Sequence, residues 1–420
     1  MTLANAIDFQ KNNFAALSVG NGRKRPIPSL LPCEMNFLKV YMTDKDEPVK
    51  KLRIIMAGGG TGGHLFPAVA MAQAFQDMNP ASEVLFVSTG KEFEKTVLAE
   101  HGFRLACISA EGIKGRGLKH QLMALIRIPV GVAEAFRILA EFRPDIVVGV
   151  GSYASGPLIL AAWMCRIPIV LHEQNILPGV TNRLLFPLAA RVHVSFPDTR
   201  FGRTSSKIRV SGNPVRKDIW KWANSTGAAV KISASEDRPF TVCIIGGSQG
   251  AHAVNVAVVE ALPLLKPYGF HFIHQTGAAD MDMVQNAYSR HEISAVVQPF
   301  FRDMAWCYRE ADLMICRSGA TTVAELTAVG KPAVLIPFPY ASDNHQEWNA
   351  HSLVQSQAAE MIRESDLNGA MVAGRIRYLA LHPEILRKMA MAARTQGNPH
   401  AAQTIVQDCY ALIQEMHRHA

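Results

Sequence analysis

From Lys51 onward the chain alternates short apolar runs, rich in β-branched residues, with longer amphipathic stretches. "KLRIIMAG" predicts a strand and Pro67 to Gln76 a helix; "EVLFVST" predicts a second strand, and Phe93 to His101 a second helix. "DIVVGVG", "IPIVLHEQN", "RVHVSF" and "KIRVSG" add further strands. Ile146 to Cys165 is uncharged over the roughly 20 residues a membrane-spanning helix needs. Its glycines, serines and Pro157 nevertheless divide it into a buried strand, a turn and a short helix. After "NPVRKDIWKWANSTGAAVKISASEDRP", which reads as polar loop, the pattern restarts. "FTVCIIGGSQGAHAVN" is again strand, glycine turn and helix, and "FHFIHQTG", "ISAVVQPF", "ADLMICRSG" and "KPAVLIPF" supply more strands. Such alternation implies an α/β fold of two doubly wound parallel sheets, with helices on both faces. The joint falls near Gly212 to Arg216, which divides the chain into residues 51–212 and 213–398. Residues 399–420 predict a final helix with Ile405, Cys409, Leu412 and Ile413 on its apolar side. Residues 1–50 hold no sustained period and include Met35 and Met42; they read as an extension, disordered or upstream of the true start.

Composition narrows the picture only a little. At 420 residues, 49% hydrophobic and 19% charged, the chain is long enough and apolar enough for two cores. The net charge of +8 suits anionic partners, but a surplus spread over the whole length selects none of them and gives no indication of nucleic acid. Seven cysteines without a C-x-x-C pair argue against a zinc ribbon or a disulfide framework, and imply a reduced, cytosolic environment. No apolar run near the start leads to a small-residue cleavage site, so a secretory signal is not expected.

The chemistry concentrates in glycine turns. Gly58, Gly60 and Gly63 satisfy G-x-G-x-x-G between a strand and a helix, the pattern of a dinucleotide site. Such a site also wants an acid at the end of the second strand, and "EVLFVST" ends in Ser88 and Thr89. No Gly-Lys-Ser/Thr closes the glycines, which argues against a Walker loop. What remains is bare backbone at a helix N-terminus, suited to an anion or to developing negative charge. "GGSQGA", Gly246 to Ala251, has the same physics with Ser248 and Gln249 added. Two such loops across one cleft would hold a diphosphate-linked donor against an acceptor.

The motifs "GGGTGGHLFPA", "HEQN", "GNPVR", "GGSQGA", "CRSGATTVAEL" and "DNHQEWNA" appear in order from about Lys51 to the C-terminus. Together they resemble the MurG family of peripheral-membrane glycosyltransferases. The resemblance implies a GT-B fold of two Rossmann-like domains, the first for acceptor and membrane, the second for a UDP-sugar, with the last helix returning to the first. It implies inverting transfer of N-acetylglucosamine from UDP-N-acetylglucosamine to the C4 hydroxyl of undecaprenyl-diphospho-N-acetylmuramoyl-pentapeptide (lipid I), forming lipid II for peptidoglycan. It also implies location at the cytoplasmic face of the bacterial inner membrane, with other cell-wall and division proteins as partners.

By the same resemblance, Thr61, Gly62 and Gly63 face the donor's sugar or diphosphate and Asn175 the sugar, while Arg216, Ser248 and Gln249 lie near the diphosphate. Phe301 meets the uracil through its backbone, Ala320, Thr321, Thr322, Val323, Ala324 and Glu325 wrap the nucleotide, with Glu325 anchoring the ribose, and Gln346 reaches the sugar. His345 beside Gln346 leaves the nearer contact open. Inversion requires a base for the acceptor hydroxyl: His64 is the first candidate, and His172 or Glu173 could orient the acceptor or serve instead. Asp280 and Asp282 form the only D-x-D of the body and read as the polar start of a helix, so no cofactor or bound metal is expected to be required. The segment Ile113 to Phe136 gathers Lys114, Arg116, Lys119 and Arg127 around Leu122, Leu125, Ile126 and Ile128, which suits reversible docking on an anionic leaflet. A UDP-sugar epimerase and a non-catalytic UDP-sugar sensor are the alternatives.

Overall fold

The computed structural model describes residues 51–110, 118–202, 205–225, 238–247 and 249–419, with the side chains of 118–127, 224–225 and 419 outside the description. Lys114, Arg116 and Ser248 lie outside the described residues, and the side chains of Lys119, Leu122, Leu125, Ile126 and Arg127 are likewise not described.

Seven strands form the first sheet: β1 (Arg53–Ala57), β2 (Glu83–Ser88), β3 (Arg104–Cys107), β4 (Ile146–Gly149), β5 (Ile169–Glu173), β6 (Arg191–Val194) and β7 (Ile208–Val210). Their order is β3-β2-β1-β4-β5-β6-β7, and every neighbouring pair is parallel. Six more form the second: β8 (Thr241–Ile245), β9 (His271–Gln275), β10 (Ala295–Gln298), β11 (Leu313–Cys316), β12 (Ala333–Leu335) and β13 (Ala359–Met361). They run β10-β9-β8-β11-β12-β13, again all parallel. The central strands are buried on both sides, as helices on both faces require, which is why "RIIMA", "IVVG", "TVCII" and "LMIC" read as continuous apolar runs. Each sheet reverses its winding between its first and fourth strands, β1 and β4 or β8 and β11. At such a switch point the loops leaving the strand ends diverge and open a crevice. The glycine turns at Gly58, Gly151, Gly246 and Gly319 leave from these four strands.

The helix Ala401–His419 packs on the first sheet's layer, not the second's. Ile405, Val406, Cys409, Leu412 and Ile413 enter the core built on Ile54, Met56, Met71 and Phe75. Asp408 fixes its rotation through His193 at 3.0 Å and Arg209 at 3.2 Å. The chain therefore crosses between the halves twice, and the crossings touch, since Asn398 Nδ2 donates to the Ser211 carbonyl at 2.7 Å.

Four local expectations are revised. The segment read as polar loop after Gly212 contains a helix, Lys217–Ser225, because Ile219 and Ala223, four apart, are both buried. The short edge strands β3 and β13 were not expected; their three or four residues carry too little pattern. The first helix runs Gly62–Met78, five residues ahead of Pro67. The second, Glu92–Glu100, differs from the expected range by one residue at each end.

Candidate active site

At the end of β1 the chain turns through Gly58, whose φ is +119°. A Cβ there would overlap the carbonyl oxygen of Gly151, in the loop after β4. What the glycine approaches so closely is therefore another glycine turn of the same domain. The Gly58 amide donates to Val87 O at 3.0 Å and the Gly59 amide to Ser152 Oγ at 3.4 Å. The Gly60 amide donates to Glu94 Oε1.

His64 stands in the first turn of the helix that follows. Its Nδ1 is 3.2 Å from Thr61 Oγ1, and its Cδ2 and Nε2 lie 3.2 and 3.3 Å from where a Gly151 Cβ would be, so the ring sits where Gly151 lacks a side chain. Burial, helped by the nearby imidazole of His345 from the other half, lowers the His64 pKa to about 4. The ring is thus neutral at pH 7 and has a lone pair to accept a proton.

Pro67 explains a contact between the halves. Lacking an N–H, it leaves the Gly63 carbonyl, four residues earlier, without its helical donor. Thr321 Oγ1, on the second half, donates to that carbonyl at 3.1 Å.

The "HEQN" residues divide between support and cleft. His172 is fully buried, with Nε2 against Gly212 O at 3.3 Å and Nδ1 taking the Gln174 amide at 3.2 Å; burial lowers its pKa to about 3. Glu173 is buried too, and desolvation raises its pKa. One of its oxygens accepts the Asn175 amide at 3.0 Å, the other the Gly179 amide at 3.0 Å and Asn182 Nδ2 at 2.8 Å. This carboxylate organises the loop 173–179, an orienting geometry. Asn175 Oδ1 accepts from Asn349 Nδ2 at 3.1 Å. Asn349, completely buried, also donates to Ser318 O at 3.2 Å and accepts from the Ile176 amide at 3.3 Å, so it pins the two halves together.

On the second half, the helix Ala320–Val329 starts after Gly319, which offers no capping side chain, and has no acid in its first turn. The helix Gly62–Met78 after Thr61 and the helix His252–Leu265 after Ala251 share both features. Three helix N-termini thus keep first-turn N–H groups available, two of them on the second half. Gly250, at φ +77°, would overlap Thr276 O if it carried a Cβ, so the "GGSQGA" turn lies directly on the end of β9. Gln249 is exposed at its tip.

Glu325 is buried, and its carboxylate is already engaged: Arg216 Nε and Nη2 donate to it at 2.7 and 2.8 Å, and the Tyr308 hydroxyl at 2.9 Å. The carboxylate in turn raises the Arg216 pKa against the opposing effect of burial. The Arg216 guanidinium also lies 4.8 Å over the Phe66 ring of the first half. Of the donors to Glu325, Oε2 carries two and Oε1 one. Phe301 is buried and its amide donates to Gln275 Oε1 at 2.9 Å, while Gln346 Oε1 accepts the Phe338 amide at 3.0 Å. Asp280 accepts from Asn255 at 2.7 Å and pairs with His252 at 2.9 Å; Asp282 lies in the first turn of the helix Met281–His291. Among the described residues no cluster of three metal-ligating side chains occurs.

The structure brings together His64, Thr61, Gly63 and Thr321, and separately Arg216 with Glu325. Sequence reasoning missed Asn349, Tyr308, Gln275, Asn182 and Glu94. Asn349 lay inside a quoted motif, whereas the other four lie outside every motif.

Residues 54–194 match the glycosyltransferase family 28 N-terminal domain and residues 241–405 its C-terminal domain. A UDP-N-acetylglucosamine--N-acetylmuramyl-(pentapeptide) pyrophosphoryl-undecaprenol N-acetylglucosamine transferase of Syntrophus aciditrophicus is 45% identical over 364 residues, 86% of this chain and 99% of that protein. The protein of the same name from Anaeromyxobacter sp. (strain Fw109-5) is 43% identical over 86% of this chain and 94% of its own. This chain belongs to the MurG family. The solved structure of Acinetobacter baumannii MurG agrees, with a TM-score of 0.68 and 31% identity, covering 87% of this chain and all of that one. A Neisseria meningitidis UDP-GlcNAc 2-epimerase, at 17% identity and a TM-score of 0.61, shares the GT-B fold alone. Membership of the MurG family therefore rests on sequence as well as on fold, and separates this chain from the epimerases that the fold by itself admits.

Proposed function

We propose that this chain transfers N-acetylglucosamine from UDP-N-acetylglucosamine to the C4 hydroxyl of lipid I, giving lipid II with inversion at the anomeric carbon. One observation carries the reading: a neutral imidazole, His64, stands on the first half within a contact network that reaches the uncapped helix start at Ala320 on the second half, joined through Thr321 and Gly63. In this account His64 accepts the proton of the attacking hydroxyl. The helix N-termini and Arg216 offset charge on the departing UDP, so the reaction needs no bound metal. Glu173 holds the loop that carries Asn175 towards the sugar.

The lipid acceptor brings the enzyme to a membrane surface. Among the described residues no helix is long and apolar enough to cross a membrane. Support for docking comes from Val130, Trp163 and Met164, large apolar side chains exposed on the helices Leu118–Phe142 and Ser155–Met164, which pack together. An anionic leaflet at the cytoplasmic face, approached by the basic segment 113–136, is the surface proposed.

The test is transfer of labelled N-acetylglucosamine to a short-chain lipid I analogue with EDTA present. Sustained turnover is expected. Donor binding without transfer would overturn the reading, and loss of turnover in EDTA restored by Mg²⁺ would overturn the metal-free part of it.

A further inference from the structure

The first glycine loop has the backbone of an anion site, and its anion is already there. The helix Glu92–Glu100, immediately after β2, directs the Glu94 side chain inward, where it is completely buried. Oε1 accepts the Gly60 amide and, at 2.6 Å, the Ser88 hydroxyl; Oε2 accepts the Lys91 amide at 2.8 Å. Both carboxyl oxygens thus face amide donors, one from Gly60 and one from Lys91. Gly59 makes the room for it, since a Cβ there would lie 2.5 Å from Glu94 Oε1 and 2.9 Å from Ser88 Oγ. The acid that a nucleotide-binding domain of this winding places at the end of its second strand is absent from Ser88 and Thr89. It arrives instead six residues after Ser88 and faces the loop.

We propose that Glu94 is a positioning residue: its carboxylate occupies the anion position of the Gly58–Gly60 turn, closes that turn to phosphate, and fixes the path of the chain into Thr61 and His64. The loop then serves as a rigid mount for the base, while phosphate recognition falls to the uncapped helix N-termini. The activity arm of this inference rests on the reaction proposed above; the binding arm does not.

Glu94→Ala and Glu94→Gln would be made in the full chain and compared with the unaltered protein, with and without 100 mM formate as replacement carboxylate. In transfer assays Glu94→Ala is expected to lower kcat about 100-fold, as expected for a base displaced by an ångström, with donor KM within about twofold of normal. Formate should restore at least about tenfold of that loss, and inorganic phosphate should compete with formate in Glu94→Ala while leaving the unaltered protein unaffected. Glu94→Gln, which keeps one acceptor oxygen, should fall between. Independently of turnover, the ¹⁵N-glycine amide resonance of Gly60 should move in Glu94→Ala and return with formate. Unchanged kcat, or donor KM rising in step with the loss of kcat, would overturn the proposal. So would a Gly60 resonance indifferent to both substitution and formate. If the unaltered protein transfers no sugar, the reaction is wrong, and the resonance alone decides the role of Glu94.

Discussion

Gly58 to Gly63 and Gly246 to Ala251 both join the first strand of a doubly wound sheet to a helix, yet their backbone groups are used differently. In the first loop three successive amides, from Gly58 to Gly60, are spent on Val87, Ser152 and Glu94. The second loop closes on itself through Gly250 N to Gly247 O at 3.0 Å and rests on Thr276, and among its described residues no carboxylate enters it. Clustered glycines thus report close approach of backbone to something, and the fold decides whether that is the protein or a ligand. The first loop is held by three partners outside it, and the second by its own backbone and the end of β9.

That contrast has consequences of different sizes. The largest concerns a buried imidazole in each half. His172 supports the first half, and His274, held between Asn255 at 3.0 Å and Tyr288 at 3.1 Å, supports β9 under the second. Burial holds both near a pKa of about 3. An unfolded histidine titrates near 6.5, so between about pH 6.5 and 3 the unfolded chain binds more protons, and stability falls as pH falls through that window. At pH 5 each should have cost about 2 kcal/mol relative to pH 7. Urea denaturation at the two pH values checks this; His64, lowered to about 4, adds a similar loss, so His172→Gln or His274→Gln should each remove about a third of the loss the three histidines cause. If one substitution removes all of it, the two halves are not supported alike.

A smaller effect tests the contact between the halves. Thr321→Val keeps the side-chain shape and removes the hydroxyl, leaving Gly63 O without a donor. Losing one such bond should lower the ratio of molecules with the halves in contact to those with the halves apart about fivefold, equivalent to about 1 kcal/mol, read from distances between spin labels on the two halves. An unchanged distribution would make the bond incidental to the contact between the halves.

The strands were legible because buried parallel strands are written as unbroken apolar runs, and the glycine turns because few residues other than glycine tolerate their φ. The helix Lys217–Ser225 was hidden by its short apolar spacing within a polar segment. Arg216 and Glu325 were each visible as candidates, but their mutual pairing, across 109 residues, was not. Glu94 is not legible in the sequence because the acid of this winding belongs at the end of β2, whereas this side chain reaches back from the next helix. His172 and Glu173 stood out as one motif, and only burial separates them from the reacting side of the cleft, one against Gly212 and the other inside its own loop. Lys114, Arg116 and Ser248 fall outside the described residues; the docking segment is read from its basic and apolar pattern, and the Ser248 contact from resemblance.

The central claim is that the first half carries the base and the second half the nucleotide. The most direct measurement sets UDP affinity, by calorimetry, beside single-turnover transfer for the unaltered protein and His64→Ala. The account predicts an unchanged UDP dissociation constant with transfer slowed by about 10² to 10⁴, the span general-base removal produces. Loss of UDP affinity in proportion to the loss of transfer would contradict it, because His64 would then belong to nucleotide binding and the division of labour between the halves would fail.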